Sequence, residues 1–324
     1  MNDKDRDRSG DGAGPATDDG PSCHKSHLRY LFLLITLLLG MPFAYSQNTS
    51  FDPWEEGSGV SLFVNAGVLR PDNIHANFYN GQEGNVNTIY RIMHSEGFGR
   101  QMWNDLTSQD LITSAISDYR QLTIAEYGNM FYKLAIQLGF GFKYEYAHGW
   151  AWWVRFDYAD LNAVGSFLIN SGRQTGILTN QEAYVPCAIM GQERRMNIDL
   201  ALSKRFPLRN GFDLTLDIGG SLNNTNVDAN DILVAGRTYN ILDIWGGESP
   251  TGLHPGYEYI NQGGIGYGAF LSLALGYTLP NLNTLSVFYT CYYNRIKLQG
   301  YEGMGIQHMF GLRFGLSNFS FWDD

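Results

Sequence analysis

Residues 132–158 read YKLAIQLGFGFKYEYAHGWAWWVRFDY, and apolar residues alternate there with polar or small ones on both sides of a short link at 147–149. Successive side chains of a β-strand point to opposite faces, so a period of two predicts two strands. The link is short and contains a glycine, which predicts an antiparallel hairpin. One face of this hairpin is aliphatic and aromatic, and the other carries charged side chains, among them Lys143, Glu145, Arg155 and Asp157.

This hairpin alone fits two classes of protein. In a soluble barrel the apolar face turns inward and the charges meet water. In an outer-membrane barrel the apolar face meets lipid and the charges fill a narrow lumen. Three further features of the sequence decide between the two classes: the N-terminal region, the lengths of the connections and the positions of the aromatic residues.

The N-terminal region is typical of a secreted protein. Residues 1–46 are predicted to be a polar leader plus a secretory signal peptide, whose apolar run is followed by the small residues Ala44 and Ser46. We expect cleavage before Gln47 and a short periplasmic segment at 47–58. The alternative is an uncleaved membrane anchor, which is disfavoured because the apolar run is shorter than the ~20 residues of a spanning helix.

The connections between predicted strands differ in length from one end to the other. Period-two segments lie at about 59–69, 130–146, 150–163, 194–206, 212–223, 264–279, 284–296 and 305–318. Tight turns at 147–149, 207–211 and 280–283 alternate with longer connections at about 70–129, 164–193, 224–263 and 297–304. Tight periplasmic turns and long extracellular loops are typical of outer-membrane barrels. We therefore predict an eight-stranded antiparallel up-and-down transmembrane β-barrel with long, partly helical extracellular loops.

Aromatic residues cluster beside the tight turns, on the apolar faces. Amphipathic rings prefer the headgroup level of a membrane, so this clustering predicts a periplasmic girdle. The alternative is that they are ordinary core aromatics near the ends of hairpins. The residues concerned are Tyr144, Tyr146, Trp150, Trp152, Phe206, Phe212 and Tyr277. The three features together exclude a soluble protein and predict the outer membrane of a Gram-negative bacterium as the location.

Residues 59–322 resemble the eight-stranded outer-membrane barrels, such as the membrane domain of outer-membrane protein A and its small relatives. The resemblance is one of architecture rather than of a motif. The Gln47 start and the elaborate loops also resemble surface proteins of Bacteroidota. The chain departs from the family pattern at its end, because barrels of this family usually finish on an aromatic residue and here two acids follow Trp322.

Composition and charge limit the classes of function. The mean hydropathy of −0.23 is too low for a helical membrane protein. The net charge of −10 argues against nucleic acid as a partner, since nucleic-acid binding needs clustered basic residues. Of the three cysteines, Cys23 leaves with the signal, Cys187 falls in a predicted loop and Cys291 on the lipid-facing side of a strand. We expect no structural disulfide and no cofactor.

Charged residues on the lumen side of the predicted strands form a near-balanced set. Buried charges are stable only when paired, so we predict a structural charge network that plugs the lumen. The alternative is a path for protons or ions, although eight strands leave an interior that side chains fill. The predicted network comprises Lys143, Glu145, Arg155, Asp157, Arg195, Asp199, Arg205, Asp213, Asp217 and Arg313.

An enzymatic function is not supported by motifs. No HExxH, GxSxG or Cys/His metal spacing occurs, and the histidines that follow the predicted signal peptide are scattered. The stretch 228–231 is acidic, but it lacks the loop length and the terminal Glu of an EF-hand. We therefore predict no catalytic, cofactor-binding or metal-binding residues.

The first long connection is predicted to contain an amphipathic helix at about 108–121. Residues 107–110 resemble a capping box, and apolar residues follow at helical spacing. This helix is expected to cover an apolar surface, either the other loops or a partner protein. The residues expected to make these canopy or partner contacts are Trp103, Leu111, Ile112, Ile116, Tyr119 and Trp245.

The sequence thus predicts a non-enzymatic outer-membrane barrel that displays an ordered canopy of extracellular loops. The function expected for it is that of an accessory subunit of an outer-membrane assembly, secretion or uptake complex, or of a surface-binding protein. The alternatives are a narrow porin-like channel and, third, an outer-membrane hydrolase. The expected partners are outer-membrane lipid and, through the loops, other envelope proteins.

Overall fold

A computed structural model describes residues 59–173, 183–243, 262–280 and 283–316 of the chain. Eight long strands are β1 Gly59–Arg70, β4 Ala135–Tyr146, β5 Trp150–Asn170, β6 Tyr184–Pro207, β7 Phe212–Val234, β9 Gly264–Thr278, β10 Thr284–Arg295 and β11 Met304–Leu316. Three short strands are β2 Ile124–Tyr127, β3 Phe131–Tyr132 and β8 Arg237–Asn240. Two helices, α1 Ile89–Met93 and α2 Phe98–Ser108, lie between β1 and β2, with short 3-10 turns at His75–Tyr79 and Tyr119–Gln121.

The eight long strands form a closed antiparallel ring. Each strand pairs with the next long strand along the chain, and β1 pairs with β11, from Leu62 opposite Leu316 to Arg70 opposite His308. Closure leaves no free edge among the ring strands at the level of this pairing. The predicted eight-stranded antiparallel barrel is confirmed. The predicted leader, signal peptide and periplasmic segment, residues 1–58, lie outside the described residues.

Large apolar side chains cover the outward face of the ring. On β5 they run from Trp150 to Tyr158 and stop at Asp160, and on β7 they run along Phe212–Leu222 and stop at Asn224. These stretches match the about 9–11 residues that a tilted membrane strand needs. The barrel therefore carries a lipid-facing belt and is an outer-membrane protein. Within the described residues, no helix is long and apolar enough to cross a membrane.

The two ends of the ring are different, and we name them after their connections. The turn end carries the tight links between β4 and β5 and between β6 and β7. His148 and Gly149 in the first link have φ of 63° and 70°, a left-handed conformation that suits glycine and closes a tight hairpin. The loop end is the opposite one and carries the long connections.

Strands β5, β6 and β7 are longer than the alternation predicted, at 21, 24 and 23 residues. They continue past the belt into the stretches at 164–193 and 224–263 that were predicted as loops. Above the lipid the outward face has no need to be apolar, and it carries Asn162, Gln192 and Asn224. The alternation of apolar and polar residues is weaker there, so the predicted ends of these strands fall short of the observed ones.

The short strands widen this extension into a sheet of six strands. Strands β2 and β3 pair with the outer half of β5, and β8 pairs with the outer end of β7. A continuous strand predicted at 130–146 is in fact broken between β3 and β4. Because of this break, Tyr132 points inward and is buried, although the alternation along 130–146 predicted a lipid-facing side chain.

The predicted helix at about 108–121 is wrong, because the helix ends where that one was expected to begin. Helix α2 closes at Ser108, and Asp110 adopts a left-handed φ of 55°. The N–H of Leu111 donates to the carbonyl of Leu106 and the N–H of Asp110 to that of Thr107. This pair of bonds is a Schellman motif, which terminates a helix. The predicted capping box is therefore a C-terminal cap.

The first connection packs against the inward face of the sheet extension at the loop end; we call residues 71–134 the cap. Its apolar side chains share one core with the inward side chains of β5, β6 and β7. Fully buried members on the cap side are Phe78, Tyr79, Ile89, Met93, Met102 and Leu106, and on the strand side Leu161, Phe167, Ile169, Ile189 and Ile232.

Candidate functional site

The first candidate site is the charged lumen, and its centre is Arg155. This side chain is fully buried; its Nη2 lies 2.6 Å from Asp199 Oδ2 and its Nε lies 2.7 Å from Asp157 Oδ2. The hydroxyl of Tyr292 donates to Asp199 Oδ2 at 3.0 Å, and Asn65 Nδ2 donates to Asp157 Oδ1 at 2.8 Å. The lumen centre is thus one guanidinium shared by two carboxylates.

A second layer lies toward the loop end, around Glu193 and Arg195. Arg195 Nη2 lies 2.5 Å from Glu193 Oε1, and the hydroxyls of Tyr79 and Tyr132 donate to Glu193 Oε2 at 2.6 and 3.0 Å. Arg195 also donates to Gln307 at 3.2 Å. Since Tyr79 and Tyr132 belong to the cap, this layer ties the cap to the barrel wall.

A third layer lies toward the turn end and combines a cation with aromatic rings. Arg313 lies 3.5 Å from Asp217, and its guanidinium stands 5.0–5.3 Å from the ring centres of Phe63, Trp153 and Phe288. Cation–π contact of this kind is worth ~2 kcal/mol where water is excluded. These rings and the arginine pack against one another inside the barrel.

The layer nearest the turn end is partly open to solvent. Glu145 pairs with Lys143 and lies 3.5 Å from Arg205, and these three side chains keep about a fifth to a third of their surface exposed. Asp213 is buried and accepts a hydrogen bond from the hydroxyl of Thr215 at 3.2 Å. All ten residues predicted for the lumen therefore lie on the inward face, in successive layers.

Four further residues complete these layers and were not predicted from the sequence pattern: Glu193, Tyr79, Tyr132 and Tyr292. Glu193 was missed because the fourth strand was predicted to start at residue 194, although the inward parity of β6 continues without a break from Val185. Tyr292 is an inward-facing residue of β10, a strand that was predicted only from its lipid-facing side chains. For Tyr79, a loop residue, no periodic signal was present.

The second candidate site is the cap. The residues predicted to contact other loops or a partner mainly contact other residues of this chain. Ile112, Ile116 and Tyr119 are buried, while Leu111 and Trp103 are partly buried against the same core. Trp103 Nε1 donates to the carbonyl of Ile116 at 3.0 Å. These residues pack against the protein's own core instead of presenting an open apolar face. Trp245 lies outside the described residues.

Polar contacts anchor helix α2 and the start of the cap to neighbouring elements. Asp105 pairs with Arg237 at 2.6 Å and accepts a hydrogen bond from the hydroxyl of Tyr239 at 3.1 Å. Asn87 and Gln262 exchange hydrogen bonds through their side-chain amides at 2.8 and 2.9 Å. The cap is therefore bonded both to the extended sheet and to the segment that leads into β9.

A buried histidine in the cap predicts a dependence on pH. His75 Nε2 donates to the carbonyl of Gly303 at 2.9 Å. Burial lowers the pKa of His75 from the ordinary value of 6.5; Arg195 acts in the same direction, and the Gly303 carbonyl, Glu193 and Asp72 oppose. In an opened cap the imidazole titrates near 6.5, so as pH falls below that value the open form binds a proton that the closed cap resists. The closed cap therefore becomes less stable relative to the open cap as pH falls, until pH reaches the lower pKa of His75 in the closed form.

We expect limited proteolysis within residues 71–134 to be faster at about pH 5 than at about pH 7.5, with His75→Gln removing most of this difference. Because His94 is partly exposed on the surface of the cap, His94→Gln is the matched control and should keep the wild-type dependence. A pH dependence that is the same in His75→Gln and in wild type would contradict the assignment to His75.

The closed ring, the lipid-facing belt and the charged lumen define a β-barrel protein of the outer membrane. Among the described residues, no group of three or more His, Cys, Asp or Glu side chains is arranged to hold a metal ion. Both described cysteines are free thiols; Cys187 lies on the inward face of β6 rather than in a loop.

Comparison with solved structures gives similarities to known barrels of this class. Neisserial surface protein A has 8% identity, with 80% of this chain and 99% of that chain covered and a TM-score of 0.34. The attachment invasion locus protein Ail of Yersinia pestis, in complex with the heparin analogue sucrose octasulfate, has 8% identity, 80% and 99% coverage and a TM-score of 0.32. The outer-membrane protease OmpT of Escherichia coli has 8% identity, 83% and 96% coverage and a TM-score of 0.24.

No protein-family model and no curated protein sequence matches the chain. At these identities and TM-scores, the structural similarities carry no information about activity or ligands. The resemblance to outer-membrane protein A and to surface proteins of Bacteroidota stays a prediction from the sequence.

Proposed function

We propose that this protein is a non-enzymatic surface protein of the outer membrane, which acts by binding through its cap while its lumen stays closed to ions. The observation that carries this proposal is the continuous packing from the cap core to the Arg155 layer. In the orientation that we propose, the loop end faces the outside of the cell and the turn end faces the periplasm. The leader and signal peptide at 1–46 are removed, and the mature chain starts near Gln47.

The cap has the properties of a display surface rather than of a mobile lid. Its core is buried on the extended strands, and its polar contacts join three separate segments of the chain. Residues held in this way lose little additional entropy when a partner binds, which favours affinity. An ordered surface of this kind suits an accessory subunit of an envelope complex or a surface-binding protein.

The surface left for a partner is the outside of the cap. Since the face around Ile112 and Ile116 is used internally, a partner has to contact exposed side chains such as Tyr90 and Phe98, on α1 and α2. Tyr90 stacks on His94 with ring centres 3.9 Å apart. Rigid exposed aromatic groups of this kind are enriched among residues that dominate binding energy.

Conductance of the purified protein in planar lipid bilayers tests the closed lumen. We expect wild-type protein to leave the bilayer near its baseline conductance, because paired charges and aromatic rings occupy the buried layers of the lumen. Steady, ion-selective currents from the wild type would replace this proposal by a narrow channel.

Affinity purification from detergent-solubilised outer membranes tests the binding role. We expect partners recovered with the wild type to be lost with the double variant Tyr90→Asp and Phe98→Asp, which alters only exposed side chains of the cap. The matched control is Asp160→Asn, also exposed but on the barrel wall, which should retain them. Equal recovery with wild type, cap variant and control would count against binding through the cap.

A further inference from the structure

The charges inside the barrel do not balance. On the inward face of the described ring strands, five basic side chains stand against six acidic ones. The basic residues are Lys143, Arg155, Arg195, Arg205 and Arg313, and the acidic residues are Glu145, Asp157, Glu193, Asp199, Asp213 and Asp217. If all of them were ionised, this part of the lumen would hold one uncompensated negative charge.

The excess acid belongs to the Arg155 layer. Arg195 is matched by Glu193, and Arg313 is matched by Asp217. In the layer nearest the turn end, two cations stand against two acids, and that layer is partly exposed. Arg155 alone faces two carboxylates, Asp157 and Asp199, and the side chains of all three have no exposed surface.

An uncompensated charge at this depth is unstable. A buried ion without a partner costs several kcal/mol even after the protein relaxes. Two carboxylates that share one site repel each other, so that ionisation of both is disfavoured. The layer therefore requires one further positive charge. A metal ion does not fit, because no metal-binding arrangement of acids exists among the described residues and the Arg155 guanidinium already stands between the carboxylates.

The hydrogen-bonding groups around Asp157 suit a carboxylic acid. Gln137 is fully buried beside Asp157 with its side-chain amide within reach of that carboxyl group, and Asn65 Oδ1 is buried without a donor. A Cβ at Gly139 would lie 1.9 Å from Asp157 Oδ1 and 2.9 Å from Asn65 Oδ1, so glycine is what admits both groups. A protonated Asp157 has one O–H, for which an amide oxygen is an acceptor, and one carbonyl-type oxygen, which can accept the N–H of Asn65.

We propose that the Arg155 layer is a proton-binding site, in which one proton is shared between Asp157 and Asp199 at neutral pH. The proton makes this part of the lumen neutral. A shared proton also predicts different effects of substitution. Either acid can be replaced by a neutral amide, whereas Arg155 cannot be replaced by a neutral residue.

Infrared spectroscopy of protein labelled with ¹³C-aspartate tests the proposal, because protonated and ionised carboxyl groups absorb at separate frequencies. We expect the purified barrel at neutral pH to show a protonated aspartate signal. This signal should disappear in Asp157→Asn and in Asp199→Asn and persist in Asp160→Asn, which changes an exposed acid on the outer wall. Asp157→Glu retains a carboxyl group in the layer and should shift the signal instead of removing it.

Stability gives an independent readout. Asp157→Asn replaces a protonated acid by an amide of similar shape, so its urea unfolding midpoint should shift far less than that of Arg155→Ala. A wild-type spectrum with no protonated aspartate would overturn the proposal, and so would a signal that survives in both asparagine variants. Should the asparagine variants not fold, the wild-type spectrum and the shift in Asp157→Glu still decide the question.

Discussion

Arg155→Ala is expected to lower the free energy of unfolding of the barrel by about 3–5 kcal/mol, because it leaves buried carboxylate charge without its partner. The guanidinium contacts Asp157 and Asp199 and lies 5.0 Å from the centre of the Trp153 ring, so truncation also removes packing at the lumen centre. Urea unfolding in detergent, followed by tryptophan fluorescence and by heat-modifiable migration on gels, measures the change.

Arg194→Ala is the matched control for this prediction. Arg194 is the neighbour of Arg195 on the same strand, but it points outward and pairs with Asp228 through side chains that are 50% and 30% exposed. Exposed ion pairs contribute about 0–1 kcal/mol, so this variant should unfold close to wild type. Equal losses in the two variants would show that the arginine at the lumen centre has no special role in stability.

Phe78→Ala is expected to open the cap while leaving the barrel inserted. Phe78 is 1% exposed and packs edge-on against Tyr79 and Tyr301, with ring centres 4.8 and 6.2 Å away. Truncation of a buried phenylalanine costs about 3–5 kcal/mol, from lost burial and the cavity left behind. The ring strands hydrogen-bond to one another and are expected to persist. Protease cleavage within 71–134 should therefore accelerate at least tenfold, as ~1.4 kcal/mol corresponds to a factor of ten.

Phe131→Ala provides a control of the same chemistry in the same segment. Phe131 is 51% exposed on β3, so its truncation should change the cleavage rate little. Heat-modifiable migration of the barrel should be unchanged in both variants. Loss of this migration in Phe78→Ala would show that the barrel depends on the cap, which contradicts the separation of the two.

The sequence predicted the ring well because a lipid-facing strand has a strict requirement at every second residue. Residues such as Phe140, Trp152 and Leu200 have to be apolar, and the period of two follows directly. The same requirement fixes the inward side, so Arg155, Asp157 and Asp199 were identified as lumen residues from parity alone. Register across strands, which brings these three together, depends on pairing that no single strand encodes.

The cap was predicted less well, since its structure depends on packing against strands that are distant in sequence. The apolar spacing from Leu111 to Tyr119 fits a helix as well as it fits the irregular segment observed. What excludes the helix is the left-handed conformation of Asp110, which the sequence marks only weakly because Asp is tolerated there without being required. Burial of Ile112 and Ile116 was foreseen, whereas the conformation that buries them was not.

The alternation of faces also has a consequence for how such a protein can change through mutation. A lipid-facing position such as Leu200 accepts any apolar side chain, because lipid has no fixed shape to match. An inward position such as Arg155 is constrained by side chains from two other strands, Asp199 on β6 and Tyr292 on β10, and a substitution there requires compensating changes in its neighbours. The outer wall is therefore free to drift one residue at a time, while the lumen can change only in concerted sets.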